Sequence, residues 1–121
     1  MSTRDIGKEY ESLAINYLNK HGYRVIDNNY SSRHGEIDII ATEGRYICFV
    51  EVKYRKNKTS GSADEAVSYS KKTKICKCAE YYLYTHQQYL NYQMRFDVLA
   101  INDSEYNFYP NAFEYIGNNA F

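Results

Sequence analysis

Two apolar stretches, each interrupted by acid, constrain this chain more than any other feature. In EIDIIA (36–41) and YICFVEVK (46–53), isoleucine, valine and aromatics are crowded so densely that both segments read as strands of a sheet core. A short turn around Glu43 and Gly44 joins them into a hairpin. Side chains alternate faces along a strand, so Glu51 and Lys53 point the same way, as do Glu36 and Asp38. Acidic groups in such a setting are costly unless they are paired or bound to a metal.

Whether Asp38 meets Glu51 depends on the hairpin register. A Glu43–Gly44 turn sets Asp38 opposite Phe49, with Glu51 as its diagonal neighbour and Glu36 directly facing Glu51. A Gly44–Arg45 turn sets Asp38 directly opposite Glu51. A three-residue loop without a bulge would put the two acids on opposite faces and abolish the site. Where they converge, two carboxylates repel and raise one another's pKa, and a divalent cation removes that penalty. All-oxygen ligation favours Mg²⁺ or Mn²⁺ over zinc. Such an ion polarises a phosphate and acidifies bound water, and Lys53 beside it is placed to orient that water or stabilise developing charge. The competing reading is a strand-end carboxylate salt-bridged to Lys53 or Arg55. Glu36 stays ambiguous, a ligand or a strained neighbour according to register.

The rest of the chain builds a frame around the hairpin. Residues 5–21 carry Ile6, Tyr10, Leu13, Ala14, Tyr17 and Leu18 at helical spacing, and Gly22 ends that helix. Glu11 lies at the edge of its apolar arc, either leaning over the sheet toward Asp38 or, as this geometry alone slightly favours, paired with a nearby lysine at the boundary, whereas Glu9 lies well off the arc. Residues 23–30 read as a strand, and 28–35 as a loop containing Ser31, Ser32, Arg33 and His34. A lysine-rich loop follows the hairpin, then a second helix from residue 63 or 70 to 88 with Ile75, Ala79, Tyr82 and Leu83 inward. Further strands follow at 95–102 and 106–109. The order is that of one small α/β domain over residues 1–121.

Composition narrows the class. At 121 residues with 25% charged and 44% hydrophobic side chains, the chain suits a single globular core. No apolar run nears the roughly 20 residues that span a bilayer, so no membrane partner is expected. The three cysteines, an odd and sparse set, favour a reducing compartment, with the cytoplasm as default. Net charge is formally zero, which argues against strong indiscriminate binding to nucleic acid. Yet Lys53, Arg55, Lys56, Lys58, Lys71, Lys72, Lys74 and Lys77 cluster mid-chain, which charge alone reads first as a solvated helix face with a lysine-rich loop and second as a basic face. Cys76 and Cys78 stand about 200° apart around a helix and cannot grip one metal together. His21, His34 and His86 lack ligand spacing. The fifteen tyrosines are scattered without common spacing and suggest no base-stacking platform.

The ordered runs YESLAINYLNKHGYRVIDNNY, GEIDIIA, FVEVKYR, ADEAVSYSKKTKI with AEYYL, and RFDVLAI resemble the YraN family of endonuclease-like proteins, over about residues 5–102. That family is similar to archaeal Holliday junction resolvases and to the restriction-endonuclease-like PD-(D/E)XK superfamily. The resemblance implies an αβββαβ core, a central mixed sheet flanked by helices. It makes Asp38 and Glu51 the metal-binding acids, Lys53 the catalytic lysine and Glu11 the helix-one glutamate. Gly35 and Glu36 belong to the family's G-E-I-D run. It also implies nucleic-acid contacts by Lys71 and Lys74, with Arg33 and Arg55 as neighbouring basic candidates. The expected activity is Mg²⁺- or Mn²⁺-dependent hydrolysis of DNA, branched or single-stranded, in repair or recombination, with a homodimer plausible by analogy with junction cutting. Two alternatives stay open: a non-cleaving nucleic-acid-binding or recombination-accessory module, and a protein-interaction domain with a structural acidic cluster.

Overall fold

A computed structural model describes residues 3–55, 67–102 and 105–117, the side chains of 3–6 and 55 excepted. Five strands form one mixed sheet in sequence order: β1 (Arg24–Ser32), β2 (Gly35–Glu43), β3 (Tyr46–Arg55), β4 (Gln93–Asn102) and β5 (Glu105–Phe113). Helix α1 (Thr3–Lys20) precedes β1, and α2 (Tyr69–Thr85) links β3 to β4. β3 and β4 are parallel and every other pair is antiparallel. A parallel pair needs a crossover, and α2 supplies it. The αβββαβ order expected of a restriction-endonuclease-like fold is present, with β5 extending it.

The alternation of β3 divides the core. Ile47 and Phe49 join Ile75, Ala79 and Tyr82 of α2 on one face, whereas Cys48 and Val50 join Ala14 and Leu18 of α1 on the other. With a helix on each face, the middle strands are buried on both sides, hence their continuous apolar sequence. Ser68 caps α2 by accepting from the Lys71 backbone N–H at 3.2 Å. Cys76 and Cys78 are both buried despite their angular separation, because α2 is covered on two flanks. Cys78 Sγ lies 3.3 Å from Ser32 Oγ, and Cys76 Sγ accepts from the Ile116 N–H. Many tyrosines serve packing: Tyr17 stacks on Tyr106, and Tyr82 meets Tyr30 and Phe49 edge-on.

Three expectations are corrected. Residues 28–32 are strand, and the β1–β2 turn is only Arg33–His34, because Ser31 and Ser32 pair with Glu36 and Gly35. The second helix stops at Thr85, and a 3-10 turn (Gln87–Tyr89) follows it. The last strand runs to Phe113, past Pro110, which an edge strand tolerates because its N–H is not needed there. The lysine-rich loop expected after the hairpin falls on residues outside those described.

Candidate active site

The β2–β3 turn is Gly44–Arg45, with Glu43 paired to Tyr46 and Gly44 at φ +57°, the glycine-first form of a tight hairpin. The ladder closes at Ile39–Val50, so Asp38 and Glu51 are the next residues beyond its last pair. There the strands part. The Val52 N–H donates to Asp38 Oδ2 at 2.8 Å, so a side chain takes the place of a backbone carbonyl. β2 changes face at this point: Ile37 packs with Ile40 on the α2 side, while Ile39 and Ala41 face α1. The irregularity extends to β1, where Asn29, across from Asp38 between the pairs Asn28–Ile39 and Tyr30–Ile37, adopts φ +51°.

Glu51 is the buried centre of the cluster, only 6% exposed. Lys71 Nζ, from the first turn of α2, lies 2.8 Å from Glu51 Oε1, and Lys53 Nζ lies 3.7 Å from the same oxygen. Burial, and then the neighbouring Glu51 charge, push the Asp38 carboxyl up to about 7. Burial also draws the Lys53 ammonium below the ordinary lysine range. Burial works against the Lys71 charge as well, but the hydrogen bond and charge of Glu51 outweigh it and raise Lys71. Two hard carboxylates held close, with one resisting ionisation, form a donor set suited to a divalent cation.

The structure brings together Asp38, Glu51 and Lys53. Glu11 is held elsewhere: its two carboxylate oxygens accept from the side-chain amides of Asn28 and Asn29 on β1. It is thus fastened to the β1 step opposite Asp38. Glu36 is not brought in, because the Gly44–Arg45 turn rules out the register that faces it to Glu51. It is exposed and pairs with Ser31. Among the described residues, no three His, Cys, Asp or Glu side chains converge as a metal cluster, so the two-carboxylate pair stands without a third such ligand.

The basic candidates fall into two groups. Lys74 is exposed on α2 beside Gly35, and Arg33 is exposed in the adjoining turn. Lys71, expected on a phosphate backbone, instead engages Glu51. The Arg55 side chain lies outside the described residues. The partnership of Lys71 with Glu51 escaped sequence reading because twenty positions separate them and only the crossover to α2 brings them together. The Asn28–Asn29 clasp of Glu11 likewise leaves no local signature.

A family model described as "Uncharacterised protein family UPF0102" matches residues 10–101. The chain belongs to this family. A UPF0102 protein of Vibrio parahaemolyticus is 47% identical over 103 residues, covering 85% of each chain. A UPF0102 protein of Thermodesulfovibrio yellowstonii is 42% identical over 113 residues, covering 93% of this chain and 99% of its own. These matches bear out the resemblance to YraN proteins. The structure of Hjc, a Holliday junction resolvase of the archaeal hyperthermophile Archaeoglobus fulgidus, is similar with a TM-score of 0.49 at 21% identity, covering 84% of this chain and 73% of that one. Among the described residues of this UPF0102 chain, no helix is long and apolar enough to cross a membrane.

Proposed function

We propose that this UPF0102 protein is a divalent-metal-dependent endonuclease that hydrolyses phosphodiester bonds of DNA, branched or single-stranded, in repair or recombination in the cytoplasm. The observation that carries the reading is the convergence of Asp38, Glu51 and Lys53 where β2 and β3 part. A purely structural acid–lysine pair has no use for a second buried carboxylate whose ionisation the first opposes.

Asp38 and Glu51 would hold Mg²⁺ or Mn²⁺. When bound, such an ion polarises the phosphate and lowers the pKa of attached water. The chain's own groups do the rest. The Val52 N–H fixes one Asp38 oxygen, which orients the carboxylate before substrate arrives. Lys53, beside Glu51 on the same strand face, carries an ammonium whose pKa is lowered, suited to orienting a water and steadying charge on the phosphate oxygens. Glu11, clasped by Asn28 and Asn29, would complete the shell through water. Lys74, Arg33 and Arg55 would follow the phosphate backbone. Two copies acting together would cut both strands of a junction.

The test is cleavage of junction, flap, linear and single-stranded DNA with Mg²⁺ or Mn²⁺. Wild type should cut at least one of these, and Asp38→Ala and Glu51→Ala should abolish cutting. Lys53→Met should lose about a hundredfold or more in rate while still binding Mn²⁺. Absence of metal-dependent cleavage on every substrate would refute the proposal.

A further inference from the structure

Lys71 occupies a position that the expected chemistry does not require. Its ammonium lies 2.8 Å from Glu51 Oε1, the same oxygen that Lys53 approaches at 3.7 Å. Two ammonium groups therefore crowd one carboxylate oxygen. A Mg²⁺ ion bonds carboxylate oxygen at about 2.1 Å, so an ion on this carboxylate would face both ammonium charges at close range. An ion that takes Oε1 displaces one lysine, and the exposures differ: the Lys71 side chain is 43% exposed, that of Lys53 25%. Lys53 is also tied to the same strand as Glu51, two residues away. Lys71 hangs from α2, where the Ser68 cap holds its backbone and leaves the long side chain to turn outward. The surface beyond carries Lys74 beside Gly35, and Arg33 in the adjoining turn.

We infer that Lys71 is a two-position lysine: it neutralises Glu51 while the carboxylate pair lacks a divalent cation, and on metal binding it turns outward to a phosphate of bound nucleic acid. This rests on the metal-site reading above and adds regulation to it. By linkage, metal strengthens nucleic-acid binding and nucleic acid strengthens metal binding, each by the same factor. Before metal arrives, Lys71 keeps the acidic pair from repelling the phosphate backbone.

The experiment is Mn²⁺ titration of the full chain by calorimetry at about pH 8.5, above the raised Asp38 value of about 7. Lys71→Gln should bind Mn²⁺ about fivefold more tightly than wild type, the value of a half-exposed pair no longer broken. Lys71→Arg should restore wild-type affinity. Lys20→Gln removes an exposed lysine at the end of α1 and corrects for net charge alone; it should change affinity little. The second readout is anisotropy of a single-stranded oligodeoxynucleotide with and without Ca²⁺, as a metal chosen to support binding. Wild type should gain affinity with Ca²⁺, and Lys71→Gln should gain less. Equal Mn²⁺ affinity in wild type and Lys71→Gln, or equal gains in both variants, overturns the two-position lysine and leaves the nuclease reading intact. Mn²⁺ binding with the expected Lys71 effect but no cleavage overturns the nuclease reading alone. No Mn²⁺ binding to wild type overturns both.

Discussion

Replacing Asp38 by asparagine separates what its charge does from what its shape does. The asparagine oxygen still accepts the Val52 N–H now received at 2.8 Å, and its amide becomes a donor toward Glu51. The negative charge is lost. Shifting a carboxyl from 3.8 to about 7 on folding corresponds to about 4 kcal/mol against the ionised folded state, at about 1.4 kcal/mol per pH unit. Asp38 is half-buried, and solvent screening reduces the effective value to about 2–4 kcal/mol. The sign follows from proton linkage. Folded Asp38 holds a proton that the unfolded chain releases between pH 3.8 and about 7, so wild-type stability falls as pH rises through that window and then levels off. Urea unfolding in the presence of a chelator should find Asp38→Asn more stable than wild type by about 2–4 kcal/mol at about pH 8, with the gap closing toward pH 4. Added Mg²⁺ should stabilise wild type and leave the variant unchanged. A variant less stable than wild type at high pH, or a gap independent of pH, would refute the strained carboxylate pair.

Two further predictions concern the frame. Asp97 is completely buried, and it is paired with Arg95, which also reaches Glu43 and Tyr23. Arg95→Ala leaves that carboxylate without its cation and should cost about 3–5 kcal/mol in urea unfolding, whereas the paired change Arg95→Met with Asp97→Leu should recover much of the loss. Gly35 sits at φ +144°, where a side chain is strained even though the space beside Lys74 is adequate. Gly35→Ala should therefore lower stability by about 1–3 kcal/mol, read as a drop in thermal midpoint, while Gly7→Ala in α1 should not.

The inner strands and both helices were legible in the amino-acid pattern alone. Apolar density marked β2 and β3 as doubly covered strands, and helical periodicity marked α1 and the inner face of α2, because burial demands those patterns whatever the partner. That pattern also nominated Asp38, Glu51 and Lys53, since acid amid isoleucine and valine is costly without a counter-charge. Register was beyond it. Turns at Glu43–Gly44 and Gly44–Arg45 are equally compatible with the local residues, and only packing of the whole sheet selected the second, which excluded Glu36. Asparagines and serines at 28–32 read locally as loop, yet pairing with β2 supplies the hydrogen bonds that make them strand. Lys71 reached Glu51 only because the β3–α2–β4 crossover lays the start of α2 over the point where two strands separate. Contacts between residues far apart in sequence depend on the path of the chain between them, and no local pattern encodes that path.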